Sequence, residues 1–309
     1  MAGSRVMLND AIDSYLAVRR AGGFKLKDDE NYLYSFSRFA QDRGDTHVVE
    51  RTAIAWAEQA SSEPQRANRL KAVIRFARFS RAVDTRHEIP PQGIFCAHRR
   101  RPTPYLYTAG DVQVLMNHAA KLGPPGSLRP HTYSTLIGLL AATGLRISEA
   151  LGLHIKDLTA EGLVIRETKF RKSRLITLHK TTRVALEKYL VNRAQVAAFD
   201  DYLFISCRLR ALSRRGVYKT FNQLLNAAGL PRQAGQPRPR LIDFRHTFAS
   251  NALLTCPQGR DAIDRHMLAL MTYLGHAHPS STFWYLESSP QLVGGIAQAC
   301  EQWVEENMP

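Results

Sequence analysis

The sequence predicts a mainly α-helical protein with one small β-sheet, built as an N-terminal helical domain followed by a larger C-terminal domain. Apolar residues recur at helical spacing along most of the chain, the pattern of helices that bury one face. One pair of segments, 162–169 and 174–179, alternates apolar and polar residues instead, and the FRKS between them reads as the turn of a hairpin. Between about 88 and 107 the periodicity lapses into four prolines and the run Arg99, Arg100, Arg101, the composition of a linker. At 309 residues the chain is long enough for two domains that each bury a core, with the boundary expected near 103.

Taken in order, residues 8 to about 90 read as helices. LNDAIDSYLAVRR sets Leu8, Ala11, Ile12, Tyr15 and Leu16 on one face, and NRLKAVIRFARFSRA does the same with Leu70, Val73, Ile74 and Ala77. The second stretch interleaves Arg69, Lys71, Arg75 and Arg78, which suit either a solvated face or contact with phosphates. After the linker, Thr108 and Asp111 form a capping box that starts a helix carrying Val112, Leu115 and Met116. HTYSTLIGLLAATG is a buried helix stopped by Gly144, and SEALGL begins the next. The hairpin follows, then the amphipathic TTRVALEKYLVNRAQ.

Composition narrows the partners. Hydrophobic residues make up 44% and charged residues 22%, the balance of a globular chain and not a disordered one. The net charge of +15, from 42 Lys and Arg against 27 Asp and Glu, favours a polyanion, since neutralising phosphates releases condensed counterions. Cys96, Cys207, Cys256 and Cys300 form no metal-ligand spacing and read as reduced thiols. No signal peptide or membrane-length apolar run is visible, so a cytoplasmic protein with no membrane partner is expected.

Chemistry concentrates in three segments: ATGLRISEALGL around Arg146, LIDFRHTFASNALL around Arg245, and YLGHAHPSSTFWYL with His276 and Tyr285 nine residues apart. Alone, Arg146 could simply pair with Glu149, and a lone tyrosine on an apolar stretch is usually core. In this order and spacing the segments resemble the tyrosine recombinases, the family of phage integrases and Xer-type recombinases. That resemblance implies a catalytic set of Arg146, Lys169 on the hairpin, Arg245, His276 and the nucleophile Tyr285, with Lys172 the alternative lysine. It also implies a double-stranded DNA partner with paired recombination sites, a homo- or hetero-tetramer on DNA, a nucleoid-associated location, and neither metal nor other cofactor. Arg99, Arg100, Arg101, Arg171 and Arg174 are expected DNA contacts beside those in the N-terminal helix. A terminal helix over about 295–307, with Ile296, Cys300, Trp303 and Val304 on one face, is expected to dock on a neighbouring protomer.

The residue types suit the chemistry. Attack on a phosphodiester builds negative charge on the non-bridging oxygens, which planar, permanently charged guanidinium forks hold better than an ammonium. A general acid then protonates the departing 5′-oxygen. One position departs from the family pattern: three residues before Arg245, where the family has histidine, stands Ile242, which neither donates a hydrogen bond nor carries a proton. His246 lies four residues after it, on a similar side of a helix. Three readings follow: an active recombinase, a recombinase-derived DNA-binding or accessory subunit impaired by Ile242, and a type IB topoisomerase, which the Xer-like sequences disfavour.

Overall fold

The computed structural model describes residues 3–95, 103–166, 173–196, 200–230, 237–256, 260–276 and 278–287. Among these the regular structure is helical apart from one two-stranded sheet, and the chain divides into the units Met1–Arg101 and Pro102–Pro309. The expected helix at 295–307, the arginines 99–101, Lys169, Arg171 and Lys172 lie outside the described residues.

The N-terminal unit holds α1 (Gly3–Ala21), α2 (Lys27–Gln41), α3 (Glu50–Glu58) and α4 (Glu63–Arg81). Leu8, Ile12, Tyr15 and Leu16 of α1 meet Leu33, Phe36, Trp56, Leu70, Val73 and Phe76 in one core. Fully burying such a side chain contributes about 1.5–3 kcal/mol. The apolar stripe of α4 faces this core and leaves Lys71, Arg75 and Arg78 exposed on the opposite side. The Arg69 guanidinium sits 5.1 Å from the Trp56 ring centroid and donates to the Trp56 carbonyl at 3.3 Å. Arg75 Nη2 donates to both carboxylate oxygens of Asp29, at 2.8 and 2.9 Å.

The turn after α4 is laced to the start of α3. Val48 N–H donates to His87 Nδ1 at 3.1 Å, and Glu88 N–H to the Val48 carbonyl at 2.8 Å. His47, Asp84 and His87 bring ligand-type atoms within 4.8 Å of one another. Their lone pairs are spent within the protein, however: His87 Nδ1 on Val48, and both Asp84 oxygens on Arg86. With Nδ1 an acceptor, neutral His87 carries its proton on Nε2, which is then no metal ligand. Burial, then the neighbouring His47, lowers the His87 pKa, with Asp84 opposing. A folded-state pKa below the unfolded value means stability is present above the unfolded pKa of about 6.5 and lost as pH falls through the folded value. Hydrogen exchange at the Val48 amide, corrected for intrinsic rates, should therefore accelerate as pH drops from 7 to 5. His87→Asn, whose carbonyl can accept the same bond without titrating, should flatten that dependence; an equally steep dependence in the variant would remove His87 as its cause.

In the C-terminal unit, α5 (Ala109–Ala119) starts at the expected box: Asp111 N–H donates to Thr108 Oγ1 at 3.1 Å and Thr108 N–H to the Asp111 carboxylate at 2.9 Å. The helix α6 (Arg129–Thr143) ends at Gly144, whose φ of +60° is the left-handed cap that an L side chain resists. A Cβ there would also lie 2.8 Å from the Phe248 ring. The short α7 (Ile147–Leu151) follows at once. The hairpin pairs β1 (Leu163–Ile165) with β2 (Arg174–Ile176), Ile165 opposite Arg174, and β2 is shorter than the alternating pattern of 174–179. Next come α8 (Lys180–Ala194), α9 (Arg214–Ala227), α10 (Asp243–Leu254), α11 (Arg260–Leu274) and α12 (Ser280–Glu287). A main core runs from Tyr107 to Phe244. A satellite of Ala249, Leu253, Leu270, Leu274 and Tyr285 binds α10, α11 and α12 together.

Candidate active site

Two segments distant in sequence, the start of α7 and the strand β2, meet at one carboxylate, that of Glu149. Arg146 caps α7 in extended conformation two residues after the left-handed Gly144, so its side chain leaves a rigid corner. Its Nη1 donates to Glu149 Oε1 at 2.8 Å and its backbone N–H to Oε2 at 3.0 Å, while the side chain stays 36% exposed. Arg174 reaches the same carboxylate from β2, with Nη2 at 2.8 Å and Nη1 at 3.2 Å, and its Nε donates to the Tyr273 carbonyl at 2.8 Å. Gly275 permits this approach: a Cβ would meet Arg174 Nη1 at 2.8 Å, and its φ is +68°. Burial alone would raise the Glu149 carboxyl, but Arg174 and then Arg146 bring it below the usual range.

Arg245, in the first turn of α10, is buried at 2% exposure. Its Nη1 donates to the Gly144 carbonyl at 3.0 Å and its Nη2 to the Leu274 carbonyl at 2.6 Å, tying the Arg146 corner to the end of α11. Burial, then the charge of Arg146, lowers its pKa, while the Tyr285 phenol that hydrogen-bonds it and Glu149 oppose the shift. Tyr285 lies on α12 at 3% exposure, its ring stacked on His276 at 5.8 Å and tilted against His246 at 5.4 Å. His276 Nδ1 is 2.7 Å from Thr282 Oγ1. Burial, then Arg245, Arg146 and Arg174, lowers the His276 pKa to about 4, so the imidazole is neutral at physiological pH.

Two guanidiniums, of Arg146 and Arg174, thus share one carboxylate, and a third, of Arg245, lies close by beside a tyrosine hydroxyl and a neutral histidine. The excess positive charge makes this corner complementary to an anion, and phosphate is the anion that guanidinium forks hold best.

Residues 107–291, more than half the chain, match the family model described as the phage integrase family. A protein named as an integrase/recombinase, y4rB of Sinorhizobium fredii, is 38% identical over 306 residues, covering 96% of this chain and 98% of its own. The chain belongs to the phage integrase family of tyrosine recombinases. The tyrosine recombinase XerD of Brucella abortus is 28% identical over 78% of this chain and 77% of its own. Among solved structures, the Tn1549 transposon integrase in complex with transposon right end DNA superposes with a TM-score of 0.66 at 17% identity, covering 98% of this chain and 100% of that one. XerH recombinase bound to palindromic difH substrate gives 0.61 at 20% identity, over 87% and 78% of the two chains. At these identities the superpositions speak for the recombinase fold.

Within that fold, the structure gathers Arg146, Glu149, Arg245, His276 and Tyr285 from the sequence-derived set, and adds two residues it did not give this place. Arg174, expected to contact DNA, is instead turned inward: its side chain is 10% exposed and held by Glu149 and Tyr273, because a buried carboxylate retains its second cation. Thr282, fully buried against His276, was marked by no sequence signal beyond lying one turn before Tyr285. Ile242 caps the start of α10, 36% exposed, one turn before Arg245. His246 is placed differently from Ile242 despite their four-residue spacing: its ring lies half-buried against Trp284, at 4.6 Å, and Tyr285. Among the described residues no helix is long and apolar enough to cross a membrane.

Proposed function

We propose that this recombinase cleaves DNA through Tyr285 and exchanges strands between paired sites within a tetramer, integrating or excising mobile DNA. The Tyr285 oxygen attacks the scissile phosphorus, a 3′-phosphotyrosine bond forms, and the bond from phosphorus to the 5′-oxygen breaks. Lys169, or Lys172, delivers the proton that the departing 5′-oxygen takes, and religation is the same step reversed. The covalent intermediate retains the energy of the broken bond, so the cycle needs no ATP and no metal.

The observation that carries this reading is the pairing of Arg146 and Arg174 with Glu149 next to Arg245, which hydrogen-bonds Tyr285, with His276 stacked on that tyrosine. In this reading Arg146 and Arg245 clamp the non-bridging oxygens and Glu149 holds Arg146 in place. His276 donates to the phosphate. The exposed Lys71, Arg75 and Arg78 of α4, with Arg99, Arg100, Arg101 and Arg171, neutralise the flanking backbone. The neighbour solved as a lambda integrase tetramer bound to a Holliday junction supports the tetrameric arrangement.

A second reading rests on Ile242. With no donor at the start of α10, the chain could bind DNA as a partner subunit and leave cleavage to a sister recombinase. Both readings are tested with a library of nicked suicide duplexes carrying randomised cores, scoring protein-linked DNA on denaturing gels. Wild type is expected to form an adduct. Ile242→His, at a half-open surface position that accepts a polar side chain, is expected to accelerate it by about 30- to 150-fold, the 2–3 kcal/mol of one restored phosphate donor. No adduct from wild type together with adduct from Ile242→His would establish the accessory reading instead.

A further inference from the structure

We propose that Thr282 is a positioning residue for His276: its hydroxyl donates to Nδ1 and thereby holds the imidazole as the Nε2–H tautomer, leaving Nε2–H as the group offered to the scissile phosphate. The proposal rests on the assignment of His276 as a phosphate contact. Thr282 is fully buried, and its Oγ1 lies 2.7 Å from His276 Nδ1. Its backbone is fixed in the first turn of α12, where Thr282 N–H donates to the Pro279 carbonyl at 2.8 Å. Tyr285 follows three residues later on the same helix, so one rigid element sets both the nucleophile and the orientation of the imidazole.

The tautomer follows from proton counting. Among Arg245, Arg146 and Arg174 the imidazole is neutral and carries a single N–H. With that proton on Nδ1, donated to Thr282, Nε2 would turn a lone pair towards a phosphate oxygen and repel it. With the proton on Nε2, His276 donates to the oxygen while Nδ1 accepts from the threonine hydroxyl. A hydroxyl can serve either way, so it is the anion that selects this arrangement and the buried hydroxyl that stabilises it. Valine has nearly the shape of threonine and lacks the donor; serine keeps the donor.

The test compares wild type, Thr282→Val and Thr282→Ser as full chains in two measurements. Histidine side-chain nitrogen NMR, recorded with inorganic phosphate present and with the His276 signals assigned by their loss in His276→Ala, reads the tautomer directly. Wild type and Thr282→Ser are expected as Nε2–H, and Thr282→Val as a mixture. Single-turnover cleavage of the suicide duplexes is expected to fall about tenfold in Thr282→Val at unchanged DNA affinity and to be largely restored in Thr282→Ser. Adding Thr282→Val to His276→Ala is expected to cost nothing further. An Nδ1–H tautomer in wild type overturns the proposal, as does an unaltered tautomer in Thr282→Val, equal losses in the valine and serine variants, or additive losses in the double variant. Should wild type form no adduct, the cleavage reading of the site fails, while the spectra still decide what Thr282 does to His276.

Discussion

Tyr285→Phe is expected to abolish the covalent DNA adduct, reducing cleavage by about 10⁴-fold or more, while the protein stays folded and still binds DNA. The structure separates the two roles of this side chain. The ring belongs to the apolar satellite of Ala249, Leu253, Leu270 and Leu274, which phenylalanine fills equally well. The hydroxyl contributes one hydrogen bond with Arg245, worth about 0.5–1.5 kcal/mol net. Thermal unfolding should therefore shift little, and band-shift affinity for DNA should be retained. An adduct that survives in Tyr285→Phe would move the nucleophile to another residue, and Tyr273, packed against the same cluster, is the neighbouring phenol.

Arg245→Lys should lower single-turnover cleavage by about 10³-fold and, unlike the tyrosine variant, also destabilise the C-terminal unit. The guanidinium spans the Gly144 carbonyl, the Leu274 carbonyl and the Tyr285 phenol from one buried position. A single ammonium cannot reach three directions with the same geometry. At least one buried carbonyl then loses its donor, at a cost of about 1–3 kcal/mol. Loss of a preorganised donor at the phosphate accounts for the kinetic term, roughly 10²–10³ for one such group. Rates are to be measured well below the variant's unfolding midpoint, so that the two effects are read separately. A lysine variant that cleaves within tenfold of wild type would show that Arg245 is chiefly a brace between α6 and α11.

Much of the fold was legible because its signals are local. The Thr108–Asp111 box, the Gly144 stop and the apolar stripes of α1 and α4 each depend on residues within a few positions of one another. The hairpin was legible in existence, but the end of its second strand was not, since strand ends are set by what the neighbours cover. The site was legible as a set of residue types at fixed separations: Arg146, Arg245, His276 and Tyr285 stand together in space. The contacts of Arg174 and Arg69 were not, because an arginine on a basic face reads the same whether its head points to solvent or finds a carboxylate or ring inside. His246 lay beyond sequence reasoning for a related cause. Helical periodicity places it near Ile242, but the arrival of α12 decides that its ring meets Trp284 and Tyr285.

By itself, then, the sequence determined the fold class, the family and which side chains stand as candidates for the chemistry, since these follow from local periodicity and from an order of residue types that no shared core would require. Tertiary structure alone decided how those side chains are held. Glu149 carries two guanidiniums, the Gly144 and Leu274 carbonyls hold Arg245, and Thr282 meets His276. Most of these contacts join residues dozens of positions apart, and their energies come from burial, which no local window of sequence can register.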